Sequence, residues 1–91
     1  MKYIKTNHFV ERCIERGISQ ELVDFILQRI GEYYDGKSSF IISSSILRQF
    51  NLNLNMIVVI DNNVLITVFF VPDLYSYLKS QPSSVNYQII D

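Results

Sequence analysis

His8 is the one histidine in the chain, and Arg12 and Arg16 follow it at intervals of four. On a helix that spacing lines the three side chains along one stripe. An imidazole titrates near neutral pH and can give or take a proton. A guanidinium can hold a phosphate through two parallel N–H groups and steady the charge of a pentavalent phosphorane. Those two groups are the minimum for metal-free RNA cleavage, in which a ribose 2′-hydroxyl attacks the neighbouring phosphate. Thr67 adds a hydroxyl in the middle of an otherwise apolar Leu, Ile, Val and Phe run. Lys2 and Lys5 lie near the His8 end and extend a small positive patch.

Each of these residues also has a plain structural reading. Glu11, Arg12, Glu15 and Arg16 can form a solvated, ion-paired helix face. A histidine near a helix start serves as a surface or capping group. Threonine is an ordinary strand residue. Tyr33, Tyr34, Tyr75, Tyr77 and Tyr87 can stack on bases or donate a proton, or simply pack half-buried.

Composition narrows the choices. One cysteine and one histidine exclude an internal disulfide and a zinc site built from Cys and His alone. There is no glycine-rich phosphate loop, so no metal or cofactor is expected. Cys13 falls on an apolar helix face and reads as a core residue rather than a nucleophile. The opening MKYIKTNHF has no apolar signal core. The longest apolar run, Val64–Phe70, is broken by Thr67 and is far too short to cross a membrane. The expectation is a cytoplasmic protein with no membrane partner.

The net charge is −1, so any nucleic-acid site has to be a local patch. The hydrophobic share of 48% fills one core and leaves apolar surface for a partner. The 91 residues read as a single domain, 1–91.

The elements that must position these groups follow from caps and periodicity. Thr6 is the expected N-cap of a first helix and Gly17 its stop, with Phe9, Val10, Cys13 and Ile14 on the apolar face. Ser19 caps a second, more buried helix that ends at Gly31. Asp35-Gly36 is a turn signal, with Tyr33-Tyr34 and Ser39–Ile42 as arms of a hairpin. The stretch from Ser43 to Asn51 is ambiguous between loop, short helix and irregular strand. Leu52–Ile60 and Val64–Val71 form a hairpin about the Asp61-Asn62-Asn63 turn. Leu74–Leu78 is a helical turn or a strand. Val85–Ile90 is a last strand or an edge that pairs with another chain. The fold class is α+β, with two N-terminal helices on a four- or five-stranded, mostly antiparallel sheet.

Thr6-Asn7-His8-Phe9-Val10-Glu11-Arg12-Cys13-Ile14-Glu15-Arg16-Gly17-Ile18-Ser19, together with Ile66-Thr67-Val68-Phe69, resembles the domain-of-unknown-function 4258 family. That family is grouped with the barnase, EndoU, colicin and RelE ribonucleases. The resemblance covers about residues 6–30 and 56–71. It implies a RelE-like fold and metal-independent RNA cleavage by a toxin paired with an antitoxin. Carried across, the site is His8, Arg12, Arg16 and Thr67. We take His8, Arg12 and Thr67 as the catalytic candidates, with Arg16 and Lys5 binding substrate. The expected partner is RNA, free or held on the ribosome, or an antitoxin.

A reading from a different class stands beside this one. The chain would be a catalytically silent binding module, such as an inhibitor or regulator of a host protein encoded by a phage or mobile element. It would form a homodimer or pair with a protein through its last strand.

Overall fold

The computed structural model describes residues 3–31 and 36–91. Among the described residues the fold is α+β. Four helices accompany one five-stranded sheet. Strands β1 (Ile4–Lys5), β2 (Lys37–Ile42), β3 (Asn55–Asp61), β4 (Val64–Val71) and β5 (Tyr87–Ile90) lie in the order β1-β4-β3-β2-β5. The two central pairings, β2 with β3 and β3 with β4, are antiparallel. Both outer pairings, β1 with β4 and β5 with β2, are parallel. The sheet is therefore mixed. The hairpin arm expected at Tyr33-Tyr34 lies outside the described residues.

The helices begin and end where their caps dictate. Thr6 accepts the Phe9 N–H and opens α1 (Asn7–Glu15). Ser19 accepts the Leu22 N–H and opens α2 (Gln20–Ile30), which Gly31 ends. Ser43 opens the short α3 (Ser44–Leu47), continued by a 3₁₀ turn at Arg48–Phe50. Asp73 caps α4 (Leu74–Lys79). Its carboxylate accepts from Ser76, which holds its pKa below the usual range. The β3–β4 turn runs through Asn62 and Asn63, both at positive φ, which asparagine tolerates better than most residues.

Two clusters divide the apolar residues between the sheet faces. Phe9 and Cys13 of α1 and Leu22, Val23 and Ile26 of α2 share one core with Phe40, Ile42, Met56, Val58, Leu65 and Val68. On the other face Ile41, Ile57 and Val71 are covered by Leu74, Tyr77 and Leu78 of α4 and by Phe69 and Tyr87. Ile14, expected on the apolar face of α1, is 75% exposed. At 100° per residue it lies about 120° from the midpoint of Phe9 and Cys13, beyond the edge of the buried stripe. No helix among the described residues is long and apolar enough to cross a membrane.

Phe9 is fully buried, so Phe9→Ala should lower unfolding free energy by about 3–5 kcal/mol. Thr6→Ala, which removes only the cap, should cost about 1 kcal/mol. Urea titration followed by circular dichroism reads both. Equal costs would mean that Phe9 is not a keystone of this core.

Candidate functional site

Helix α1 delivers its stripe on a spiral. Each step of four residues advances about 400°, or 40° beyond a full turn. His8 therefore faces solvent, Arg12 is half-buried, and Arg16 has rotated toward the sheet. The turn that follows fixes Arg16. Ile18 donates its N–H to the Cys13 carbonyl at 2.8 Å, Gly17 sits at φ 68°, and the Ile18 side chain is buried. This is a helix stop of the Schellman kind, in which the left-handed glycine admits the closing hydrogen bond.

From there Arg16 reaches strand β4. Its Nη1 donates to Thr67 Oγ1 at 3.0 Å and to the Val68 carbonyl at 2.8 Å. The guanidinium carbon lies 6.0 Å from the centre of the Phe69 ring, within the range of a cation–π contact. Strand β1 pairs only with Val64 and Leu65, so β4 has an open outer edge beyond that point. The Val68 carbonyl on this edge is satisfied by Arg16. The β3–β4 register also shifts, with Val59 opposite Thr67 and Ile60 opposite Leu65. Ile66 is the extra residue of a bulge. The bulge leaves Leu65 and Val68 in the helix-side core and turns Thr67 to the other face with Val59 and Phe69.

Arg16 and Thr67 thus meet across 51 residues of sequence. The remaining candidates are placed differently. Arg12 is paired with Glu15 at 2.7 Å within the helix. Lys5 is tied to Asp24 at 2.7 Å and to Gln20 at 2.9 Å, which anchors β1 to α2. The exposed His8 ring has no hydrogen-bond partner among the described residues. Eight residues of helix separate His8 from Arg16, about 12 Å of rise. Cys13 is buried, and burial pushes its thiol pKa up despite opposing effects from Gln20, Lys5 and Arg16. It is a poor nucleophile for that reason. No group of three or more His, Cys, Asp or Glu side chains among the described residues could hold a metal ion.

The arrangement leaves donors to spare. A guanidinium carries five N–H groups. The Thr67 and Val68 contacts both use Nη1. The Nη2 and Nε hydrogens remain for an anion, in the parallel geometry that suits a phosphate.

No family model, no curated protein and no solved structure matches this chain. The geometry therefore carries the site alone. It adds Phe69 and the Val68 carbonyl, which follow Thr67 directly in sequence but gain meaning only from the position of Arg16. It also adds a tyrosine pair. Tyr87 stands in register with Ser39, which faces Val59 and then Thr67, so the four form one row across the sheet. Burial raises the Tyr87 pKa to about 12, helped by its hydrogen bond to Tyr77 and by that phenol's charge.

A folded-state pKa above the ordinary value of 10 means that the neutral phenol is the form the fold favours. Its stabilising contribution is complete below pH 10 and is lost as pH rises toward about 12. Tyr87→Phe should remove a phenol that titrates at about 12 from an ultraviolet titration and flatten the fall in stability over that window. Loss of amplitude near pH 10 instead would show that Tyr87 ionises like a free tyrosine.

Proposed function

We propose that this chain is a metal-independent endoribonuclease of the RelE-like toxin kind, with α1 and the Thr67 edge of β4 as its active site. The observation that supports the reading best is the hydrogen bond from Arg16 to Thr67. It joins the two segments of the family resemblance at the end of the helix stripe that begins with His8. The two N-terminal helices that share a core with one face of the sheet are in keeping with a RelE-like fold.

In this mechanism Arg16 holds the non-bridging oxygens of the scissile phosphate through its Nη2 and Nε hydrogens. Thr67 and the Val68 carbonyl fix the plane of the guanidinium. Both side chains lean toward the helix N-terminus, so the phosphate and ribose have to span most of the roughly 12 Å of rise between Arg16 and His8. His8 takes the proton of the ribose 2′-hydroxyl as its oxygen attacks phosphorus. The bond to the 5′-oxygen breaks and that oxygen takes a proton from solvent. The products are a 2′,3′-cyclic phosphate and a 5′-hydroxyl end. Arg12 adds charge once the phosphate competes with Glu15. Lys5, already held by Asp24, acts at most through the local field.

A second reading draws on the same ion pairs. Arg12 and Lys5 already have carboxylate partners and the net charge is −1, so two of the basic candidates for phosphate binding have internal work. Strand β5 is the outermost strand of the sheet on its side, and its Ile89 is 70% exposed. A binding module would use that edge for an added strand from an antitoxin-like protein, a host protein or a second copy.

Induced expression in a bacterial host, with RNA ends mapped, separates the two. Cleavage accompanied by growth arrest is expected. His8→Ala and Arg16→Ala should each lower cleavage of RNA by the purified protein by about 10²-fold or more while remaining folded. Intact RNA with the wild-type protein would sink the nuclease and leave the binding module.

A further inference from the structure

A cleft of about 220 Å³ opens where β5 begins beside β2, lined by Lys37, Ser38, Ser39, Ser84, Val85 and Asn86. The Ser39 N–H donates to the Asn86 carbonyl at 3.0 Å, and β5 pairs with β2 only from Ser39 onward. Backbone groups of alternate strand residues point to the same side. The amide and carbonyl of Lys37 therefore point past the start of β5, toward the cleft.

The side chains give the cleft a particular chemistry. Ser38 is only 2% exposed. Its Oγ accepts from Asn86 at 3.4 Å and from Gln88 at 3.3 Å, so its own proton is left to donate. Asn86 spends its amide N–H on Ser38 and keeps its Oδ1 as an acceptor. Val85 supplies an apolar wall. Lys37 has no ion-pair partner among the described residues, but Asp61 stands opposite it in the β2–β3 register. The acid offsets the charge of the lysine. A neutral ring with donors and acceptors on its rim suits this cleft better than a bare anion.

The cleft stands apart from the site at Arg16. Ser38 pairs with Ile60 and Gln88 with Phe40, both in the helix-side core, so Ser38 and Asn86 point to that face of the sheet, whereas Thr67 lies on the other. We propose that this cleft binds one nucleobase, as a free nucleoside or as an unpaired base of single-stranded RNA. The assignment does not rest on the nuclease reading.

Titration of the labelled full chain by amide NMR tests it, using adenosine, guanosine, cytidine and uridine, and separately inorganic phosphate. At least one nucleoside should shift the amides of Lys37, Ser39 and Asn86, while phosphate should leave them in place. Asn86→Ala, which removes the Oδ1 acceptor, should weaken that nucleoside at least tenfold, and Asn86→Asp, which keeps an acceptor in the same shape, should weaken it less. Arg16→Ala should leave nucleoside binding unchanged. Shifts with phosphate alone, or with none of the five probes, would overturn the subsite. Nucleoside binding with no RNA cleavage by the wild-type chain would support the subsite and reject the nuclease.

Discussion

A regular strand through Leu65, Ile66, Thr67 and Val68 would place Leu65 and Thr67 on one face and Val68 on the other. The molecule needs a different arrangement, because Leu65 and Val68 both belong to the core under the N-terminal helices. The bulge at Ile66 resolves the conflict by adding one residue to β4 without one in β3. Its cost is a partly exposed isoleucine, 39% accessible. Its effect is to turn the Thr67 hydroxyl away from that core, at a strand edge within reach of Arg16. Without the bulge, Thr67 would share the core face with Leu65.

The same strand is also where the sheet is least protected. Strand β1 covers only Val64 and Leu65, and the exposed edge beyond it could recruit another chain. Arg16 covers that edge with a cation, a common device for discouraging edge pairing. One side chain thus satisfies a strand carbonyl, orients a hydroxyl and lies over an aromatic ring. A purely protective role would be met by lysine as well. The planar fork of arginine adds a second, outward-facing set of donors that lysine lacks.

Local chemistry was legible in the sequence. Thr6 and Ser19 are caps, Gly17 and Gly31 are helix stops, and Asn62-Asn63 forms the turn, because each rests on hydrogen bonds within a few residues. The parallel outer pairs were not legible. Strand β1 has only two residues and no period to read. Strand β5 joins β2 through contacts almost fifty residues away. The exposure of Ile14 was missed because a four-residue apolar set on a short helix leaves the centre of its stripe undetermined. Arg16 and Thr67 were both legible as candidates. Their contact depends on the bulge, for which the apolar run Val64–Phe70 carries no mark.

The charge pattern bears on what the site can recognise. With a net charge of −1, the long-range field would draw RNA in weakly, so the affinity of the proposed nuclease would have to come from short-range contacts in fixed geometry. Arg16 meets that condition, since its two bonds to β4 restrict its rotamers before a phosphate arrives and reduce the entropy lost on binding. Such a nuclease would be weakly sensitive to salt and strongly sensitive to strand conformation.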